Sequence, residues 1–121
     1  MNRSSGILLP VSALPGPCGI GDLGADARDF IDFLAAAGQR YWQILPLNPP
    51  DGAHSPYLSA STFAGSTDLL SPEPFLARGA LTADEVRAID WGADPMRVDY
   101  DRVYAGRTAL WDAAFAREKA S

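Results

Sequence analysis

Apolar and polar residues are arranged over the first fifty positions in an order that predicts strand, helix, strand. Gly6 to Leu9 is a short apolar run closed by Pro10, and it predicts a first strand. Between Val11 and Gly24 the chain holds Pro15, Gly16, Pro17, Gly19 and Gly21, a density of turn formers that predicts a loop. From about Asp26 to Ala37 the period changes. Ala27, Phe30, Ile31, Leu34 and Ala37 recur at i, i+3, i+4 and i+7, the spacing of a helix with one buried face. Asp22, Asp26 and Asp29 gather near its start, where the helix dipole favours negative charge, and Gly38 stands where a helix would stop. Tyr41 to Leu47 is apolar apart from Gln43. A run without alternation predicts a parallel strand covered on both faces. The three elements form an expected right-handed βαβ unit over residues 1–50.

Beyond Pro49-Pro50 the pattern weakens. Ser, Ala and Gly dominate to about Pro74, so residues 51–80 read as a loop region. Thr82 followed three residues later by Glu85 is a capping-box signature and predicts a short surface helix over Thr82 to Ile89. Asp94-Pro95 interrupts. A last helix is expected from about Tyr100 onward, with Tyr100, Val103, Tyr104, Leu110, Trp111, Ala114 and Phe115 on one broad face. Residues 81–121 therefore form an expected helical subdomain. The closing Arg-Glu-Lys-Ala-Ser has no Gly or Asn cap, so the chain is expected to break off in or just after a helix. A strand buried on two faces needs neighbours that two strands do not supply, which makes the chain an expected fragment of an enzyme.

Composition narrows the function classes. The chain has 121 residues, is 47% hydrophobic and carries a formal net charge of −5. That balance disfavours nucleic acid and anionic membrane as partners, since both attract clustered Lys and Arg. The apolar runs are too short for a secretory signal core or a membrane helix, so a soluble, cytoplasmic protein is expected. Cys18 is the only cysteine and suits a reducing compartment. With one His and one Cys there is no metal-ligand cluster of the usual spacing, and no cofactor is expected.

The best candidate for ligand contact is Ser55-Pro56-Tyr57, just past the second strand. A sugar presents an apolar C–H face and a rim of hydroxyls, so its site needs a flat aromatic and polar groups. Tyr57 supplies both, and Ser55, Ser59 and Ser61 add hydroxyls. Composition alone favours the blander reading, in which Tyr57 packs over the strand end. Gly19-Ile20-Gly21-Asp22-Leu23-Gly24 matches the literal G-x-G-x-x-G of dinucleotide sites. However, nine residues, three of them proline, separate it from Leu9, and no acidic residue ends the second strand. A tight loop feeding the helix explains it without a ligand. His54 lacks a third orienting group and reads as an ordinary polar residue, while Cys18 reads as a small packing residue.

An ordered series of segments resembles the start of 4-α-glucanotransferases of the amylomaltase (disproportionating enzyme) family. It comprises Ser5-Gly6-Ile7-Leu8-Leu9-Pro10, Leu14-Pro15-Gly16-Pro17, the glycine loop just quoted, Ala27-Arg28-Asp29-Phe30, Tyr41 to Leu47, Ser55-Pro56-Tyr57 and Phe63-Ala64-Gly65, with Arg97-Val98-Asp99-Tyr100 and Tyr104 further on. The resemblance implies an α/β fold in which this chain is the opening βαβ part of a (β/α)8 TIM-type barrel, incomplete here and followed by a helical insertion. It implies an α-1,4-glucan or maltooligosaccharide substrate, with Tyr57 lining the donor sugar subsite and Ser55 and Asp51 in the same mouth. Some positions depart from the family pattern: Cys18 for a common aromatic, Leu58 for a usual Gln, Ser66-Thr67 for Asn-Pro, and no aromatic in Pro50-Asp51-Gly52-Ala53. The last departure weakens a secondary glucan groove in which Tyr104 would take part, and helix packing is the favoured role for Tyr104.

Glucan transfer with retained stereochemistry needs two carboxyl groups about 5 Å apart. The resemblance implies that the family's catalytic acids lie downstream of the matched region, so this segment is expected to supply a substrate loop and to be inactive alone. The alternatives are a non-catalytic maltodextrin-binding fragment and a nucleotide-binding βαβ module.

Overall fold

A computed structural model of the chain describes residues 3–120. The helix end expected at Ser121, and the first two residues of the N-terminus weighed as a targeting segment, lie outside the described residues. Strand β1 (Gly6–Leu8) is followed by a 3-10 turn at Val11–Ala13, helix α1 (Ala25–Ala36) and strand β2 (Tyr41–Gln43). A second 3-10 turn at Thr67–Leu69 precedes helices α2 (Glu73–Ala77), α3 (Ala83–Arg87) and α4 (Tyr100–Lys119).

The two strands pair in parallel with Gly6 opposite Tyr41, Ile7 opposite Trp42 and Leu8 opposite Gln43. Backbone bonds from the Arg40 N–H to Ser5 O and from the Leu9 N–H to Gln43 O extend the ladder by one step each way. The chain then turns into the 3-10 turn at Val11–Ala13, and Leu9 O is taken by the Trp42 indole N–H. That is why β2 stops at Gln43 and not at Leu47: past this point its backbone has no strand in this chain to bond.

Helix α1 covers one face of the sheet. Side chains alternate along a strand, so Ile7 and Trp42 share the helix face, where the Trp42 ring meets Phe30 edge-on at 5.1 Å and its indole N–H donates to Leu9 O. Val11, Leu14 and Ala27 complete this core. The expected cover on both faces of β2 is absent: Gly6, Leu8, Tyr41 and Gln43 project from the open side, and Tyr41 is 64% exposed. Helix α1 ends as its sequence implies. Gly38 takes φ +73°, its N–H bonds Ala35 O, and the Gln39 N–H bonds Leu34 O, a Schellman termination.

A second core gathers Ala80, Leu81, Leu110 and Ala114 with Phe75, Leu76, Trp91 and Trp111 around them. The capping box of α3 is complete, with the Glu85 N–H on Thr82 Oγ1 and the Thr82 N–H on Glu85 Oε2. Helix α2 corrects the reading of 51–80 as loop alone. Its prolines suggest a break, yet Pro74 lies in the first turn, where a missing N–H costs nothing.

The face of α4 also needs correction. Its buried stripe is Val103, Gly106, Arg107, Leu110 and Ala114, while Tyr104 and Phe115 are each 67% exposed. Tyr104 therefore lies outside the buried stripe and mostly exposed. The stripe turns because Arg107 lies in it, 1% exposed, with its guanidinium donating to Asp22 Oδ2 at 3.0 Å and to Leu70 O. A buried charge is tolerated only when paired and hydrogen-bonded, and this pair ties α4 to the glycine loop before α1. No helix among the described residues is long and apolar enough to cross a membrane.

Candidate functional site

A cleft of about 250 Å³ opens at the carboxyl ends of β1 and β2. One wall is the turn after β1, with Pro10, Val11 and Ser12. The facing wall is the segment after β2, with Leu45, Leu47 and Asn48, followed by Pro50, His54 and Pro56. Ser66, Asp68 and Leu69 form the floor, and Tyr100 at the start of α4 closes one side. Parallel strands whose ladder ends at the same level leave two diverging loops, and the crevice between them is the usual ligand position in α/β sheets.

Local chemistry holds these walls. The Asn48 side-chain amide donates to Ala64 O, and the Ser66 N–H donates to Leu47 O at 2.7 Å, binding the segment after β2 to the floor. Ser66 Oγ accepts from the Asp68 N–H and caps the 3-10 turn that presents Asp68 to the cleft. The lining is mixed: aliphatic side chains and prolines for an apolar surface, with hydroxyl, amide, imidazole, phenol and carboxylate groups among them. Such a surface suits a ligand with both C–H faces and hydroxyls. The volume lies just under the range of about 300–1,000 Å³ usual for complete small-molecule sites. Asp68 is the one carboxylate among the described lining residues, so the cleft lacks the carboxyl pair that glycosyl transfer with retention requires.

The residues singled out in the sequence lie on the rim. Tyr57 is 71% exposed, and its N–H donates to Ser55 Oγ. Asp51 is exposed, and its carboxylate accepts from the Ala53 N–H in a tight turn. Neither of these, nor the half-buried Ser55, is among the lining residues of the cleft, although their neighbours Pro50, His54 and Pro56 are. The structure thus gathers the three in one loop beside the cleft without aiming them into it. Asp68, Tyr100 and His54 do reach the cleft: the sequence marks nothing at Asp68, and His54 reads in it as an ordinary polar residue. In sequence Tyr100 reads as part of an apolar helix face, yet it stacks on His54 with ring centroids 4.4 Å apart and planes 9° from parallel. The available signal was Asp99, a helix-capping residue that puts the next side chain at a helix mouth.

The glycine loop packs closely on the protein at Gly21 and Gly24. A Cβ on Gly21 would come within 2.2 Å of Val11 O. At the start of α1, where a nucleotide phosphate would bind, the Gly24 N–H is taken by Asp22 Oδ1 and the Ala25 N–H by Glu73 Oε1. Arg28 pairs with the other Glu73 oxygen and holds the Glu73 carboxyl below its usual range, with the Ala25 amide adding to the effect. Burial lifts the Asp22 carboxyl above the usual range, against the opposing pull of Arg107 and the Gly24 amide. Two carboxylates already occupy the anion position, which removes the basis for the nucleotide reading. Cys18 is buried, and burial raises its thiol pKa against the opposing pull of Arg107, which fits a packing role. No group of three or more potential metal ligands is placed together among the described residues.

Comparison with known proteins agrees with the geometry. The family model of 4-alpha-glucanotransferases matches residues 9–121. The chain is 46% identical over 121 residues to the 4-alpha-glucanotransferase of Thermus thermophilus, covering 98% of this chain and 23% of that protein. It is 44% identical over 115 residues to that of Streptococcus pneumoniae (strain TIGR4), covering 95% and 23% respectively. An amylomaltase from Streptococcus agalactiae, solved in complex with acarbose, superposes with a TM-score of 0.91 at 37% identity, over 95% of this chain and 23% of that one. The chain therefore spans about a quarter of the length of these relatives and corresponds to their N-terminal portion. With its paired parallel strands, its crossover helix and a family match over nearly its whole length, the chain belongs to the 4-alpha-glucanotransferase family.

Proposed function

We propose that this chain forms the opening βαβ part of the (β/α)8 barrel of a cytoplasmic 4-α-glucanotransferase and supplies part of its α-1,4-glucan site, but not its catalytic carboxylates. The observation that carries this reading is the cleft at the carboxyl ends of β1 and β2, rimmed by the Ser55-Pro56-Tyr57 loop. The open sheet face, with Leu8 and Tyr41 exposed, is the surface that further barrel strands would enclose. Tyr57, exposed at the rim, offers its ring to a glucose face, while the Ser55 hydroxyl and the Asp51 carboxylate offer partners to sugar hydroxyls from the same loop. The nucleophile and the acid/base are two carboxyl groups from outside this segment, since Asp68 is alone in the cleft. The nucleophile displaces the donor's glycosidic oxygen, which leaves with the proton of the acid/base; the 4-hydroxyl of a second maltodextrin then attacks the glucosyl carbon, returns its proton to the same group and frees the nucleophile.

The test is a chimera in which residues 1–121 replace the matching N-terminal portion of the Thermus thermophilus relative. It should convert maltotriose into longer and shorter maltodextrins, while the 121-residue chain alone yields none. Tyr57→Ala in the chimera should lower kcat/KM roughly tenfold, the worth of an aromatic contact of about 1.4 kcal/mol. A folded chimera without transfer, products from the chain alone, or a Tyr57→Ala variant at full rate would each refute the reading.

A further inference from the structure

We propose that His54 is a positioning residue: by stacking on Tyr100 it latches the loop that carries Tyr57 to the start of α4. Four observations meet at this side chain. His54 is the only non-glycine residue with positive φ among those described, at 56°. Its ring lies parallel to Tyr100 at 4.4 Å, and both rings line the cleft. The hydrogen bonds of the loop run inside the loop: the Asp51 N–H to Leu58 O at 2.8 Å, the His54 N–H to Asp51 O at 2.9 Å, and the Leu58 N–H to Ser55 O at 3.1 Å. Tyr100, by contrast, stands on a firm base, with Asp99 capping the helix and Val103 buried one turn on.

These bonds set the shape of the loop and leave its placement to side-chain contacts. Positive φ is uncommon outside glycine but several-fold enriched for His, Asn and Asp. His54 therefore serves twice: its backbone accepts the turn, and its flat ring gives the turn something to hold. An aromatic pair of this kind is worth enough to shift a local opening equilibrium about two- to tenfold. Tyr57 lies three residues along the same loop, so a displacement of His54 carries Tyr57 with it. The consequence for glucan rests on the function proposed above, whereas the latch itself does not.

Amide hydrogen exchange of the 121-residue chain, followed by NMR, tests the latch without any ligand. His54→Asn keeps a residue that tolerates positive φ and removes the stack. Tyr100→Leu removes the other ring, and Tyr100→Phe retains it. His54→Asn and Tyr100→Leu should each speed exchange at positions 51, 54 and 58 about two- to tenfold, with α1 amides unchanged. The double variant should match either single, and Tyr100→Phe should match the parent chain. Unprotected loop amides in the parent chain, independent effects that multiply in the double variant, or a Tyr100→Phe variant as fast as Tyr100→Leu would overturn the latch. In the chimera, His54→Asn should raise KM for maltotriose by a similar factor and change kcat less. If exchange responds and KM does not, the latch stands and the role given to Tyr57 falls.

Discussion

Gly21 shows how little room single positions leave in the loop before α1. Its α-carbon lies so close to the 3-10 turn that an added methyl would sit 2.2 Å from Val11 O and 2.6 Å from Leu14 O, both backbone atoms. Backbone in a closed turn yields less readily than a flexible side chain. Gly21→Ala is therefore expected to destabilise the fold by roughly 3 kcal/mol, the upper end for overpacking, as measured by urea unfolding. A destabilisation below about 0.5 kcal/mol would mean that the turn relaxes. The glycine spacing is visible in the sequence and reads there as a tight loop feeding α1, but not as a close packing contact. The agents that fill the loop, Arg107 and Glu73, were not visible, because nothing local marks a residue far along the chain as a partner.

At the scale of elements, the junction between α3 and α4 carries the clearest electrostatic signal. Arg117 bridges to Glu85 at 2.7 Å, and Thr82 donates to the same carboxylate from its amide and its hydroxyl. Together they hold the Glu85 carboxyl down to about 2, from an ordinary 4.5, with Arg117 the largest contributor. A carboxyl with a depressed folded pKa stabilises the fold fully above its unfolded pKa, and that share is lost as pH falls through the folded value. Its contribution should thus be complete above about pH 4.5 and disappear towards pH 2. In thermal unfolding, the difference between the parent chain and Glu85→Gln should be largest near neutral pH and shrink across that window. A difference that stays constant from pH 6 to pH 2.5 would assign the effect to something other than ionisation. The elements themselves were largely legible. The capping box announced α3, and Gly38 with its apolar period announced α1. Helix α2 was hidden because Pro72 and Pro74 read as breaks when they stand at a helix start, and β2 was overextended because its apolar run outlasts its pairing partner.

For the whole molecule, the Arg107–Asp22 pair spans the two cores. It links residues 85 apart in sequence and is buried on both sides. Removing one partner strands the other charge in the interior, which costs roughly 3–5 kcal/mol, whereas replacing both by uncharged groups costs far less. Arg107→Met is expected to lose about that amount in urea unfolding, and the double variant Arg107→Met with Asp22→Asn should recover most of it. Equal losses in the single and double variants would deny the pair its bridging role. The same long-range join shapes the cleft, since Leu70, which accepts from Arg107, adjoins the floor residues Asp68 and Leu69.

The βαβ start, the α3 capping box, the Gly38 stop of α1 and the loop bearing Tyr57 follow from the sequence by itself, because periodicity, caps and turn residues act between near neighbours; the family follows from the resemblance carried by its ordered motifs. The tertiary structure alone decided which face of α4 is buried, which carboxylates occupy the start of α1, and which side chains line the cleft. Those outcomes depend on groups distant in sequence meeting in space, where desolvation and pairing, rather than local preference, determine which contact survives.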